Sequence, residues 1–150
     1  VMGVFHPDLV GIQARVLKQL GSRHVMIVHG LDGLDEITLS GPTMIAELKN
    51  DHVEEYQIEP AMFGIKSVPT QALRASDAAE SKAILLAVLD NQPGPARDIV
   101  ALNAGAAIYV SGHSATLKDG ISRAFEVLES GAAKQKLDQL AAISQSFKSN

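Results

Sequence analysis

Three carboxylates fall within five residues, Asp32, Asp35 and Glu36, directly behind an unbroken apolar run, Val25-Met26-Ile27-Val28. The run reads as a buried strand. The segment His29-Gly30-Leu31-Asp32-Gly33-Leu34-Asp35-Glu36 reads as the loop that leaves it. Adjacent ionised carboxylates at a strand exit offer the hard oxygen ligands that a divalent cation such as Mg²⁺ prefers, and a cation held there can bind a phosphorylated substrate. Asp35 and Glu36 are the adjacent pair of this kind. Asp32 reads as a turn residue working with Gly33. On spacing alone, a solvated turn is the favoured reading of Asp35 and Glu36; their place at a strand exit and the blocks of sequence around them reverse it.

The other chemistry-bearing residues carry less. His29 stands at a strand end, where bonding to backbone is the commoner role and contact with a metal or phosphate the rarer one. His6-Pro7 borders the same end of the sheet, but helix entry accounts for it. His113 and Ser114 lie at a helix boundary with no carboxylate partner evident, so a hydrolase arrangement lacks support. His24 and His52 are far apart in the pattern, and no two histidines share a metal-ligand spacing on one helix. Lys134, Lys136, Lys148 and Arg123 make a sparse solvated face. No residue is assigned as a catalytic nucleophile or base. Zero cysteines remove disulfides and thiolate zinc sites.

The elements that must position the acids follow from periodicity. A strand over residues 2–5 closes at His6-Pro7. Asp8 then caps a helix in which Leu9, Ile12, Val16 and Leu20 recur at helical spacing, and Gly21 stops it. A second strand runs over about 24–28. Strand, helix and strand in this span form a βαβ unit with a parallel pair, and ligands of open α/β sheets bind at the carboxyl ends of such strands. Residues 43–49 and 53–58 predict a hairpin turning at 50–52, its second strand bulged or at an edge, and residues 60–70 predict a loop. From Ser76 the chain reads as helical. Asp77 and Glu80 have capping-box spacing, and Ile84, Leu85, Val88 and Leu89 form an apolar face. Pro95 starts the next helix, where Ile99, Leu102, Ala106 and Val110 share a face. Ala104, Gly105, Ala106 and Ala107 predict close packing against a neighbouring backbone, with Asn103 hydrogen-bonding across it. Two further helices cover 114–130 and 132–147, separated by Gly131, with fraying expected over 144–150. The fold class is α/β: a mixed sheet with a parallel βαβ start, a β-hairpin and C-terminal helices.

Composition bounds the rest. With 150 residues, 46% hydrophobic and 20% charged, the chain is one ordinary domain rather than a disordered tail. A net charge of −4 with dispersed cations argues against nucleic-acid binding. No apolar run approaches the roughly 20 residues needed to cross a bilayer, and no signal peptide is evident. A cytoplasmic location fits. Val1 in place of an initiator methionine reads as the start of an excised domain or a cleavage product.

Several ordered blocks resemble the anthranilate phosphoribosyltransferases. They are Gly3-Val4-Phe5-His6-Pro7, Gly33-Leu34-Asp35-Glu36, Asp77-Ala78-Ala79-Glu80, Gly94-Pro95-Ala96-Arg97-Asp98 and Leu102-Asn103-Ala104-Gly105-Ala106-Ala107. Agreement in order is stronger than any one short motif. The resemblance implies the C-terminal part of the phosphoribosyltransferase α/β domain, transferring a phosphoribosyl group from phosphoribosyl pyrophosphate to the amino group of anthranilate, with release of pyrophosphate, in tryptophan biosynthesis. It implies Mg²⁺ as cofactor, with Asp35 and Glu36 as its ligands on the pyrophosphate side, and is compatible with a homodimer of the full-length protein. The family's glycine-rich diphosphate loop, its Lys-His-Gly-Asn region, the arginine for the anthranilate carboxylate and its N-terminal helical domain are expected upstream. A piece lacking them should be inactive and should expose sheet-edge and helix surfaces. Two other readings compete. A pyrimidine nucleoside phosphorylase-like enzyme shares the architecture but is disfavoured by Gly33-Leu34-Asp35-Glu36. A non-catalytic nucleic-acid- or protein-binding relative is disfavoured by the missing basic face.

Overall fold

A computed structural model describes residues 1–147. The expected parallel start is present. β1 (Met2–Gly3) and β2 (His24–Gly30) run parallel, Met2 opposite Ile27 and Gly3 opposite Val28, joined by α1 (Leu9–Gln19). β1 is shorter than its apolar run, because Phe5 turns outward at 80% exposure where His6-Pro7 bends the chain. Asp8 does not cap α1 with its side chain. Its backbone is already helical, and its N–H donates to His6 Nδ1 at 3.3 Å. Gly21 ends the helix as expected, at φ +85°, with Ser22 N–H reaching the Leu17 carbonyl and Gly21 N–H the Lys18 carbonyl, each at 3.0 Å.

β3 (Thr43–Lys49) and β4 (His52–Ile58) complete a sheet of order β1-β2-β3-β4, antiparallel after the first pair. The β3–β4 turn is two residues long, since Asn50 and Asp51 at φ 50° and 61° adopt the left-handed geometry that matches strand twist. His52, expected in the turn, is therefore the first paired residue, opposite Lys49. The register runs unbroken to Thr43 opposite Ile58, so β4 is an unbulged edge strand. Its irregular alternation has a simple cause: both faces of the sheet are covered. Val53 packs on the α1 side, Tyr56 and Ile58 on the other.

The stretch expected to be irregular holds single 3₁₀ turns at Pro60–Phe63 and Thr70–Leu73. α2 (Ala78–Leu89), α3 (Pro95–Val110), α4 (Leu117–Glu129) and α5 (Ala132–Ser146) follow. Asp77 accepts from Glu80 N–H at 2.8 Å, but the Glu80 carboxylate reaches past the expected position to Ser76 N–H at 2.7 Å. α4 starts later than its sequence signal, capped by Thr116 Oγ1 accepting from Asp119 N–H at 3.1 Å. The segment expected to fray is helical as far as Ser146, and residues 148–150 lie outside the described residues.

One face of the sheet packs Ile27 and Ala46 against Val10 and Ala14 of α1. The other packs Met26, Val28, Ile45 and Ile58 beneath Leu102, Ala106 and Tyr109 of α3 and Ile121 of α4. The buried face of α3 is rotated slightly from the expected one, to Ala101, Leu102, Gly105, Ala106 and Tyr109. α2 is less buried than its apolar pattern suggests, with Val88 alone fully covered and Leu85 exposed. A polar hub ties α3 to three strands. Glu47 accepts from Tyr109 OH and Tyr56 OH at 2.7 Å each and pairs with His24 Nε2 at 2.9 Å. Burial opposes its ionisation, but the bonds from Tyr109, Tyr56 and His24 outweigh it and lower its pKa.

The predicted close helix packing occurs between Gly105 and the Gly120-Ile121 backbone. A Cβ on Gly105 would lie 2.5 Å from Ile121 Cα, and one on Gly120 would lie 2.3 Å from the Gly105 carbonyl oxygen. Gly105→Ala should therefore force the helices apart and cost on the order of 1–3 kcal/mol in urea melts. Gly41→Ala, which meets nothing within 4 Å, should leave the melt unchanged.

Candidate functional site

Residues 31–42 connect β2 to β3, so the acidic loop spans the end of an antiparallel pair whose last register match is Gly30 with Thr43. Its first half folds back on itself. Gly33 N–H reaches the Gly30 carbonyl at 2.9 Å, and Gly30 N–H reaches the Leu34 carbonyl at 2.8 Å. Gly33 supplies the required positive φ of 95°. Its second half is anchored by burial: Ile37, Thr38 and Leu39 are each 1% exposed, the two aliphatic side chains joining the core under α3. Each such burial is worth about 1.5–3 kcal/mol, enough to fix the loop's path.

Asp32 does more than the turn role assigned to it. Its Oδ2 accepts hydroxyl hydrogen bonds from Thr38 at 2.8 Å, Ser40 at 2.7 Å and Thr70. Burial works against the charge, but the bonds from Thr70, Ser40, Thr38 and Leu34 N–H prevail and hold the carboxyl at a pKa of about 2. Asp32 thus fastens the acidic loop to the 3₁₀ turn that starts at Thr70. Its own loop hinted at this, because Thr38 and Ser40 are hydroxyls close to an acid. Thr70 gave no local signal.

Asp35 and Glu36 are held differently. Both are exposed, and among the described residues neither carboxylate takes part in a hydrogen bond or ion pair. Glu36 has a raised pKa, first from partial burial and then from the neighbouring Asp35 charge. Their backbone is tightly seated. A Cβ on Gly3 of β1 would lie 1.6 Å from the Asp35 carbonyl oxygen. Past Glu36, Ile37 N–H donates to Asn103 Oδ1 at 2.9 Å and Asn103 Nδ2 donates to the Ile37 carbonyl at 2.9 Å. Asn103 therefore bonds to the loop rather than across the helix packing where it was expected. The pairing spans 66 residues and could not be read locally.

The two free acids suit a hard cation, which their mutual repulsion would welcome. They make only part of a coordination sphere: among the described residues no three His, Asp or Glu side chains converge to hold a metal ion. Open cavities lie beside Glu36 and beside Asp32. An apolar one of about 610 Å³ is lined by Leu34, Glu36, Leu73, Ile84 and Ile99, and a polar one of about 560 Å³ by Asp32, Ser40, Thr70 and Arg74.

The histidines stay out of this site. His29 is buried and pairs through Nδ1 with the Val4 carbonyl at 2.8 Å, the backbone role expected of it. His113 contacts Ser111 Oγ at 2.9 Å, while Ser114 donates to the Thr116 carbonyl, so no catalytic Ser–His pair forms at that boundary. Lys134 is not merely solvated, since it pairs with Asp90 and ties α5 to the end of α2. Lys148 lies outside the described residues.

Comparison with known proteins shows what the chain resembles. The family model described as glycosyl transferase family, a/b domain, matches residues 1–134. Anthranilate phosphoribosyltransferase from Chromobacterium violaceum is 66% identical over 144 residues, covering 96% of this chain and 42% of that protein. The crystal structure of anthranilate phosphoribosyltransferase from Thermus thermophilus superposes with a TM-score of 0.86 at 36% identity, covering 95% of this chain and 42% of that one. The Saccharomyces cerevisiae enzyme in complex with PRPP and Mg has a TM-score of 0.80 at 26% identity, over 91% of this chain and 40% of its own. The chain thus spans well under half the length of the relatives it matches.

The Asp32 hub makes a pH prediction. Its pKa is depressed to about 2, so its contribution to stability is present above the ordinary aspartate value and lost as pH falls through about 2. Asp32→Asn should destabilise the protein by about 1 kcal/mol at pH 7, after discounting for solvent screening. The gap between variant and native in urea melts should narrow as the pH is taken from 4 towards 2.

Proposed function

The chain belongs to the glycosyl transferase family, a/b domain, and from that premise we propose that it forms the α/β portion of an anthranilate phosphoribosyltransferase. The observation that carries this reading is the pair of carboxylates with no hydrogen-bond partner among the described residues, on a pinned loop at the end of β2, in a chain 66% identical to such an enzyme over 144 residues. In the proposed reaction the anthranilate amino nitrogen forms a bond to C1 of the phosphoribosyl group. The bond from that carbon to the pyrophosphate oxygen breaks, and the nitrogen gives up a proton. The product is a phosphoribosyl anthranilate, an intermediate of tryptophan biosynthesis.

Asp35 and Glu36 would hold Mg²⁺ on the pyrophosphate side. When bound, the ion neutralises charge on the leaving group and templates its position. The protein's own part is to leave both carboxylates without internal partners among the described residues and to fix the backbone that carries them. The backbone seating at Gly3 and Ile37 does the latter. Asp32 keeps its charge turned to three hydroxyls, which ties down the loop while leaving Asp35 and Glu36 available.

In this reading the groups that cradle the diphosphate and hold the anthranilate carboxylate come from polypeptide outside residues 1–150. These residues alone are then inactive, and the complete protein is compatible with a homodimer. Among the described residues no helix is long and apolar enough to cross a membrane. We assign the enzyme to the cytoplasm, where its small charged substrates would be met.

The test uses the full natural polypeptide, with phosphoribosyl pyrophosphate and Mg²⁺, and follows loss of anthranilate fluorescence. The native protein should consume anthranilate only with both present. Asp35→Asn combined with Glu36→Gln should lower turnover by about 10²–10³-fold, the scale of losing transition-state charge stabilisation, with far-UV circular dichroism unchanged. Near-native turnover of that variant at saturating Mg²⁺ would overturn the metal assignment. No consumption by the native protein would overturn the reaction.

A further inference from the structure

Asn103 sits in the first half of α3, and its side chain satisfies both hydrogen-bonding groups of Ile37: the N–H donates to Oδ1 and the carbonyl accepts from Nδ2, each at 2.9 Å. This is the pattern a neighbouring β-strand would offer, supplied by one amide. Nδ2 also donates to the Ile99 carbonyl at 3.0 Å, which fixes the amide plane to the helix. The clamped residue immediately follows Glu36. Between the two acids, the Asp35 carbonyl rests on Gly3 with no room for a methyl group. Glu36 is thus flanked by two backbone anchors, one on β1 and one on α3. Glu36 and Asn103 also line one small open cavity of about 420 Å³, with Ile99, Val100 and Ala104 as its other walls.

The clamp serves the fold as well, because Ile37 is buried and Asn103 pairs its N–H and its carbonyl. Ile37 and Leu39 also bury their side chains in the core. Side-chain burial alone does not fix the rotation of the peptide group after Glu36; the clamp does, and so constrains the backbone from which the carboxylate projects. Two like charges on adjacent residues tend to splay apart unless the backbone prevents it.

We propose that Asn103 is a positioning residue for divalent-cation binding, its clamp on Ile37 aiming the Asp35 and Glu36 carboxylates at a shared ion. This rests on the reading of those two acids as metal ligands. Groups that orient ligands without touching the metal typically change affinity 10–100-fold when removed.

The test measures Mn²⁺ binding by electron paramagnetic resonance, using the full natural polypeptide, its Asn103→Leu and Asn103→Gln variants, and the Asp35→Asn/Glu36→Gln double variant. Asn103→Leu should weaken Mn²⁺ binding about tenfold or more, and hydrogen exchange at the Ile37 amide should accelerate. Asn103→Gln, with the amide displaced by one methylene, should fold and show a smaller loss. A purely structural role would instead lower the melting temperature and leave the Mn²⁺ affinity of the folded protein unchanged. Affinity within twofold of native in Asn103→Leu, while the double variant has lost it, overturns the positioning role and spares the metal reading. Retained affinity in the double variant overturns the metal reading itself, and the proposal with it. If Asn103→Leu does not fold, Asn103→Gln decides, and native affinity in that variant overturns the proposal.

Discussion

A carboxylate left free for an outside ligand cannot be held in place by its own hydrogen bonds, and everything around the acidic loop answers to that constraint. Asp35 and Glu36 have no side-chain partner among the described residues, so their direction depends on the peptide groups on either side. Three separate devices act there. Gly3 lets the Asp35 carbonyl approach β1 more closely than any side chain would allow. Ile37 and Leu39 bury themselves in the core. Asn103 pairs with both polar groups of Ile37. None of them touches the carboxylates, and that leaves the charge available.

The devices work only if α3 lies at the right height above the sheet. Two contacts determine that height. Gly105 meets the Gly120-Ile121 backbone at a separation with no room for a Cβ, which draws α4 close and brings Ile121 into the core beneath. Tyr109 bonds to Glu47 at 2.7 Å, which ties the C-terminal part of α3 to β3. Asn103 and Tyr109 are about 9 Å apart along the helix axis. The same helix is therefore pinned to the sheet by one polar contact and to the acidic loop by another. Glu47 is far from the acids, yet it belongs to the frame that aims them.

Much of the framework was legible because it follows from local pattern. The apolar run before His29 sets β2, the spacing from Leu9 to Leu20 sets α1, and Pro95 sets the start of α3. The small residues around Gly105 correctly announced a close backbone contact. Asp35 and Glu36 stood out as adjacent acids at a strand exit, and the structure leaves them exposed there. Features set by distant partners were not legible. Asp8 looked like a side-chain cap, but its backbone is already helical and its own N–H donates to the His6 ring. Asn103 looked like packing between helices, but its partner is a loop 66 residues away. Neither periodicity nor spacing encodes which loop a helix will cross.

Asp32 shows how one loop gives similar acids opposite tasks. All three are oxygen donors within five residues, and composition cannot separate them. Hydrogen bonds can. Asp32 faces three hydroxyls, which stabilise its charge so well that its pKa falls to about 2. Recruiting its Oδ2 as a ligand would compete with those bonds, and with them the link to Thr70. Glu36 shows the reverse: partial burial and the Asp35 charge raise its pKa, so its anion is under-stabilised in the protein alone. A cation gains most where the protein has left charge uncompensated, and least where it has already been matched. By that argument the hydroxyl-bonded acid is structural, and the two acids without internal partners among the described residues are the ones a metal would find.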